Sequence, residues 1–302
     1  MSKKGKFVKF LRVTPFAIMF LASGKYVLDD FKKLDNDKKV YEALENNVVS
    51  ESIIEDTATK TISDNVTVYD EVVETEESII EDELIIHDDL LEDDYKFENV
   101  DFDNLIETNE DTEAWISMNG MEYPIVQGET NEDYLHTDFY GNSSKAGTIF
   151  IDSDNLPLDG DELSPITHIY GHHMKNGSMF AKICKYKDPN YYDEHEFGII
   201  YTPDGYAYKL EVIAGFAFSA DDYSFYSVNL ETEDDYKKFN DYILDKSTFD
   251  SNQVLEYGDK VAILYTCSYE NNNGRYALVC RIKKEYTNYY QVEEAIKNKK
   301  VR

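Results

Sequence analysis

From Thr112 onward, apolar residues fall into short runs separated by polar and glycine-bearing turns. "KVAILYTCS" (260–268) and "RYALVCRIKKEY" (275–286) read as strands, rich in β-branched and aromatic residues. "FGIIYTPDGYAYKLEVIAGFAFSA" (197–220) reads as a strand, a Pro-Asp-Gly turn and a long return strand. "AGTIFIDSDN" (146–155) and "ITHIYGHHM" (166–174) are strands that run into polar residues. "AWISMNGMEYPIVQ" (114–127) reads as one helix-like turn, a glycine turn and a strand. "NEDYLHTDF" (131–139) and "SMFAKICKY" (178–186) have helical spacing, with Ser178 as a candidate N-cap of the second. "EDDYKKFNDYILDKS" (233–247) is the strongest amphipathic helix, with Tyr236, Phe239, Tyr242 and Ile243 on one face. Many short strands and few helices predict a mostly β fold, a closed barrel with peripheral helices.

The pattern upstream is different. Residues 1–28 open with Lys3, Lys4, Lys6, Lys9 and Arg12, followed by an uncharged run from Val13 to Gly24. Positive charge ahead of an apolar run marks an export signal or membrane anchor with its N-terminus in the cytoplasm. Residues 29–111 read as an acidic spacer, disordered or loosely helical. "ESIIED" occurs at Glu51–Asp56 and again at Glu77–Asp82, no Lys or Arg falls between Thr61 and Tyr95, and the apolar pairs are too sparse to bury much surface. The globular part is expected over 112–290, with a basic tail over 291–302.

Charge narrows the partners. Sixty-one acidic residues against 30 basic give a net charge of −31, which argues against nucleic acid. Three cysteines, Cys184, Cys267 and Cys280, do not make a disulfide framework, and no Cys-x-x-Cys pair points to zinc. Neither a metal nor another cofactor is expected. Cys184 and Cys280 sit at apolar positions and read as core residues.

Cys267 stands at the end of an apolar strand, where a thiol is partly exposed and able to react. If 260–268 and 275–286 pair as antiparallel neighbours, Arg275 lies across from Cys267. A guanidinium there can donate hydrogen bonds to an oxyanion developing on an acyl group attached to sulfur. The plain alternatives are a buried cysteine and a surface arginine in an ion pair worth about 0–1 kcal/mol. An acid or base must come from His87, His136, His168, His172, His173 or His195. His172 stands out because it follows a strand and Gly171, which together present an imidazole at a barrel rim. Thiol, imidazole and guanidinium form a coherent set for acyl transfer.

"YGHHMKNGSMFAKICKY" and "LYTCSYENNNGRYALV" resemble the histidine and cysteine–arginine motifs of class B sortases. "AWISMNGMEYPIVQGETNEDYLHTDFYGNSSKAGTIFIDSDN" resembles the start of their catalytic domain. The resemblance spans roughly Thr112 to Tyr286. It implies an eight-stranded barrel on the outer side of the cell membrane and a cysteine transpeptidase. Such an enzyme cleaves a sorting signal of the NPxTN or related type after its threonine and passes the acyl group to a peptidoglycan amine. The partners implied are surface proteins bearing the signal, a stem-peptide or cross-bridge amine, and the membrane through the N-terminal segment. Carried over by position, Cys267 is the nucleophile, His172 the acid/base and Arg275 the transition-state stabiliser. Asn131, Tyr265 and Ser268 fall at substrate-binding positions, the last two departing from the serine and acidic residue the family often has there.

Three other readings compete: a pilin-polymerising enzyme of the same family, a non-catalytic adhesion barrel, and a papain-like hydrolase. The last normally places its cysteine early, at a helix N-terminus. A thiol and an imidazole of ordinary pKa, roughly 8.5 and 6.5, are both neutral at pH 7. Arg275 favours thiolate but disfavours imidazolium, so a slow enzyme with a bell-shaped pH profile is expected. The segment 220–251, with its helix, is expected to shield the thioester from water.

Overall fold

The computed structural model describes residues 32–51, 98–158, 163–221, 228–268 and 273–287. They fall into two units. The smaller holds a two-stranded antiparallel ribbon, β1 (Val49–Glu51) with β2 (Glu98–Val100), in which Val49 faces Val100. The larger holds a helix, α1, over 32–48, and everything from Asp101 onward.

The larger unit is built on eight strands. They are β3 (Thr112–Met118), β4 (Met121–Val126), β5 (Ile149–Ile151), β6 (Ile166–Tyr170), β7 (Phe197–Tyr201), β8 (Tyr206–Ser219), β9 (Lys260–Cys267) and β10 (Gly274–Thr287). They close into a barrel in the order β10-β8-β7-β3-β4-β5-β6-β9. The fold is thus mostly β, a closed eight-stranded barrel, as the strand pattern predicts. Closure removes the unpaired edges that an open sheet would present. The β4–β5 and β6–β9 pairs are parallel, and the other neighbours are antiparallel.

Helices cover the outside: α2 (Phe102–Thr108), a 3-10 helix (Phe180–Lys187), α3 (Pro189–Tyr192) and α4 (Glu233–Lys246). A capping box opens α4: the Thr232 hydroxyl accepts from Asp235 N, and the Asp235 carboxylate accepts from Thr232 N. Its Tyr236, Phe239 and Ile243 pack with Val261, Ile263 and Tyr265 of β9 and with Ala277 and Val279 of β10. Because strand side chains alternate, Leu264, Tyr276 and Leu278 point the other way, into the barrel, and are fully buried.

Several local expectations are corrected. Residues 112–118 form a strand and not a helical turn, because β4 and β7 pair with both its edges. Residues 131–139 make turns without a helix. Ser178 does not cap the following helix: its hydroxyl binds the Asn176 side chain, and Met179 stands at the N-cap position without a side-chain bond.

Both ends of the stretch read as a spacer, 29–111, hold packed helices. Tyr41, Leu44 and Val48 of α1 are buried, and the Tyr41 hydroxyl donates to the Gly147 carbonyl at 2.6 Å. At the other end, α2 is capped by Asp101 and buries Leu105. The N-terminal basic and apolar segment, both "ESIIED" copies apart from Glu51, and the tail 291–302 lie outside the described residues. Among the described residues no helix is long and apolar enough to cross a membrane.

Candidate active site

Three chain segments meet at one rim of the barrel. In the antiparallel β9–β10 pair, Arg275 is the register partner of Cys267. In the parallel β6–β9 pair the register runs from Ile166 with Val261 to Tyr170 with Tyr265. Gly171 N extends it by donating to Tyr265 O at 3.1 Å, and the Thr266 hydroxyl donates to Gly171 O at 2.8 Å. His172 follows two residues beyond Tyr170, near enough to Arg275 for that charge to act on its imidazole. Residues level on adjacent strands direct their side chains to one face. Cys267 and Arg275 thus share the face that α4 covers further along, and His172 lies on the neighbouring segment at the same end of the barrel.

Each group has a distinct environment. Cys267 and Arg275 are half-buried. Arg275 pairs with no carboxylate among the described residues, and its Nη1 donates to Gly274 O at 3.1 Å. His172 Nε2 lies 2.8 Å from the Leu135 carbonyl and so serves as the donor. That contact leaves Nδ1 as the ring nitrogen able to exchange a proton with substrate or sulfur. Burial lowers the His172 pKa, the charges of His136 and Arg275 lower it further, and the Leu135 carbonyl opposes the shift.

The barrel face continues away from Cys267 as an aromatic strip. Tyr265 stacks on Tyr170 at 5.2 Å and meets Phe218 edge-on at 6.1 Å, and Tyr170 packs against Phe150. The Tyr265 hydroxyl lies 2.9 Å from His168 Nδ1, and burial lowers the pKa of that imidazole. Tyr265 is 2 % exposed, so it supports the strip from beneath.

Asn131 is held by its surroundings. Its Nδ2 donates to Asp152 Oδ2 at 3.0 Å, its Oδ1 accepts from Ser153 N, and the Tyr170 hydroxyl donates to the same Asp152 oxygen. Asn131 fixes the loop at the end of the strip. Ser268 is corrected as a groove residue: it is 4 % exposed and its hydroxyl accepts from the Lys187 ammonium at 3.0 Å.

The sequence reading missed two histidine roles. His173 Nδ1 donates to the carbonyl of Cys267 at 2.9 Å, with Cys184 Sγ 3.4 Å from the same nitrogen. Cys184 is thus half-buried beside the site instead of being a plain core residue, whereas Cys280 is fully buried and burial raises its thiol pKa. His136 is exposed, and its ring lies nearly parallel to His172. The histidine pair was visible in the sequence, but which backbone group each ring would reach was not. Among the described residues no cluster of His, Cys, Asp and Glu could hold a metal ion.

The chain is 31% identical to Staphylococcus aureus sortase B over 191 residues, which cover 61% of this chain and 75% of that one. It is 32% identical to Listeria monocytogenes sortase B over 174 residues, covering 56% and 68%. Two solved sortase B structures, a Staphylococcus aureus substrate complex and a complex with triglycine, superpose with a TM-score of 0.56 at 29% and 30% identity. Both cover 62% of this chain and 86% of theirs. No family model matches.

Proposed function

The chain belongs to the class B sortases, transpeptidases by family, and on that premise we propose the bonds it makes and breaks. The Cys267 thiolate attacks the carbonyl carbon of the threonine in an NPxTN-like sorting signal. Arg275 hydrogen-bonds the resulting oxyanion. His172, as imidazolium, gives its Nδ1 proton to the departing amine, and a thioester remains on Cys267. A peptidoglycan amine then attacks the thioester, His172 takes a proton from it, and the thiolate leaves.

The observation that carries this reading is the pairing of Cys267 with Arg275 in one strand register, with His172 within reach of the Arg275 charge. The low imidazole pKa of His172 supports a small active population and a slow enzyme. The aromatic strip of Phe218, Tyr265 and Tyr170 supports an extended peptide lying across these strands. A glycine amine as acceptor is favoured by a sortase B having been solved with triglycine. A catalytic domain outside the membrane, tethered through residues 1–28, fits such partners.

The test is incubation of the full chain with fluorogenic sorting peptides, with and without triglycine or stem-peptide amines. Wild type should release the C-terminal fragment and form the amine adduct, and Cys267→Ala should do neither. Cleavage that survives Cys267→Ala would overturn the reading. Adduct formation with pilin subunits and not with wall amines would favour a polymerising role.

A further inference from the structure

An exposed imidazole lies against the half-buried ring of the acid/base residue. The His136 and His172 ring centroids are 5.7 Å apart, with planes inclined by 14°. The stacking is set by backbone, since the preceding residue, Leu135, supplies the carbonyl that binds His172 Nε2. That carbonyl is itself held close. Gly147, at φ +59°, runs so near that an added Cβ would fall 2.6 Å from Tyr134 O and 2.7 Å from Leu135 O. Thr148 N donates to Tyr134 O, and Ser144 N donates to His136 O at 2.9 Å. The segment therefore delivers two things to His172: an acceptor for one nitrogen and a second titratable ring against its face.

We propose that His136 is a positioning residue for His172. It covers one face of that imidazole, and its own charge state controls how readily His172 holds the proton it must give to the leaving amine. This rests on the reading of His172 as the acid/base.

The groups that face His172 are few. Among the described residues they are Arg275 from β10 and His136 with the Leu135 carbonyl from the 131–148 segment. Asp138, also on that segment, is taken up by its own turn, accepting from Tyr140 N and Asn142 N. Asp37 of α1 is hydrogen-bonded to Ser144, and burial and the Asp138 charge raise its pKa. Two cations at the His136–His172 distance repel, so protonation of His136 disfavours the His172 imidazolium. Even screened as fully as in bulk water, a unit charge 5.7 Å away changes that population about 3-fold.

The experiment compares kcat/KM from pH 5 to 9 for wild type, His136→Phe, His136→Arg and His172→Ala. Alongside it, the His172 ring is followed by NMR titration. His136→Phe keeps a planar cover without a charge, so the acid limb and the His172 titration should both move to higher pH. His136→Arg makes the charge permanent, so both should move to lower pH and the plateau should fall about 3-fold. If both variants superimpose on wild type while His172→Ala is inactive, the His136 proposal fails and the functional reading stands. If His172→Ala keeps its turnover, the functional reading fails and takes this proposal with it.

Discussion

Arg275 stands opposite Cys267 in the β9–β10 register, and neither position depends on a loop. Sites carried on paired strands are held more tightly than sites on loops. Arg275→Gln should therefore act on the chemical step. Losing one oxyanion donor typically lowers kcat by about 10²–10³-fold. Steady-state kinetics should show that loss with KM little changed. Arg275→Lys should recover only part of it, because an ammonium lacks the planar fork.

The pH profile has a definite sign. The single-proton state of the Cys267–His172 pair appears as the doubly protonated pair loses a proton, so the acid limb tracks His172. Burial and the charges of His136 and Arg275 lower that imidazole's pKa, so the acid limb should fall below about pH 6.5, the ordinary value. Removing the charge in Arg275→Gln should raise the His172 titration, which NMR would detect even where turnover is weak.

His173 should matter through the nucleophile's backbone. Without its donor, the Cys267 carbonyl keeps only the long Cys184 Sγ contact at 3.9 Å, and the thiol can drift. His173→Ala is expected to lower kcat about 10- to 100-fold, the scale of a small misplacement of a reacting group. His173→Asn, which can present an amide N–H, should restore most of it. Equal loss in both variants would show that bulk, and not the hydrogen bond, is what counts.

Tyr41 ties α1 to the barrel: its hydroxyl donates to Gly147 O and meets Thr148 Oγ1 at 3.2 Å, and its ring packs on Tyr123. Tyr41→Phe removes one buried hydrogen bond, worth about 1–2 kcal/mol. For a domain of this size the thermal midpoint should drop by about 2–8 °C. An unchanged midpoint would mean that α1 does not stabilise the barrel through this contact.

Gly147→Ala should be harsher. A methyl group there strikes the carbonyls of Tyr134 and Leu135, and φ is already +59°. The variant should lose stability and, because Leu135 O holds His172, activity beyond what the stability loss explains. Comparing kcat at a temperature where both proteins are folded separates the two effects.

The strands around the site were legible because their pattern and their physics coincide. Cys267 and Arg275 follow from two apolar runs joined by a short polar turn, and hairpin pairing then puts them opposite one another. The α4 face was legible for the same reason, with Tyr236, Phe239 and Ile243 at helical spacing. Residues 112–118 misled because a short apolar run is ambiguous until neighbouring strands claim its backbone groups. The helix over 32–48 was hidden by its acidic surroundings, although Tyr41, Leu44 and Val48 recur at helical spacing.

By itself the sequence determined the barrel class, the thiol and guanidinium facing across two strands, and the histidine that follows Gly171. These are local: alternation, turn chemistry and adjacent pairing act over a few tens of residues at most. Only the tertiary structure decided that β6 runs parallel beside β9, so that the His172 segment arrives at the Cys267 end of the barrel. It likewise decided that Leu135, His136 and His173 surround the pair, and that α1 belongs to the barrel. Those contacts join segments far apart in the chain. Their register is set by burial and by the matching of backbone donors to acceptors, which no single stretch of residues records.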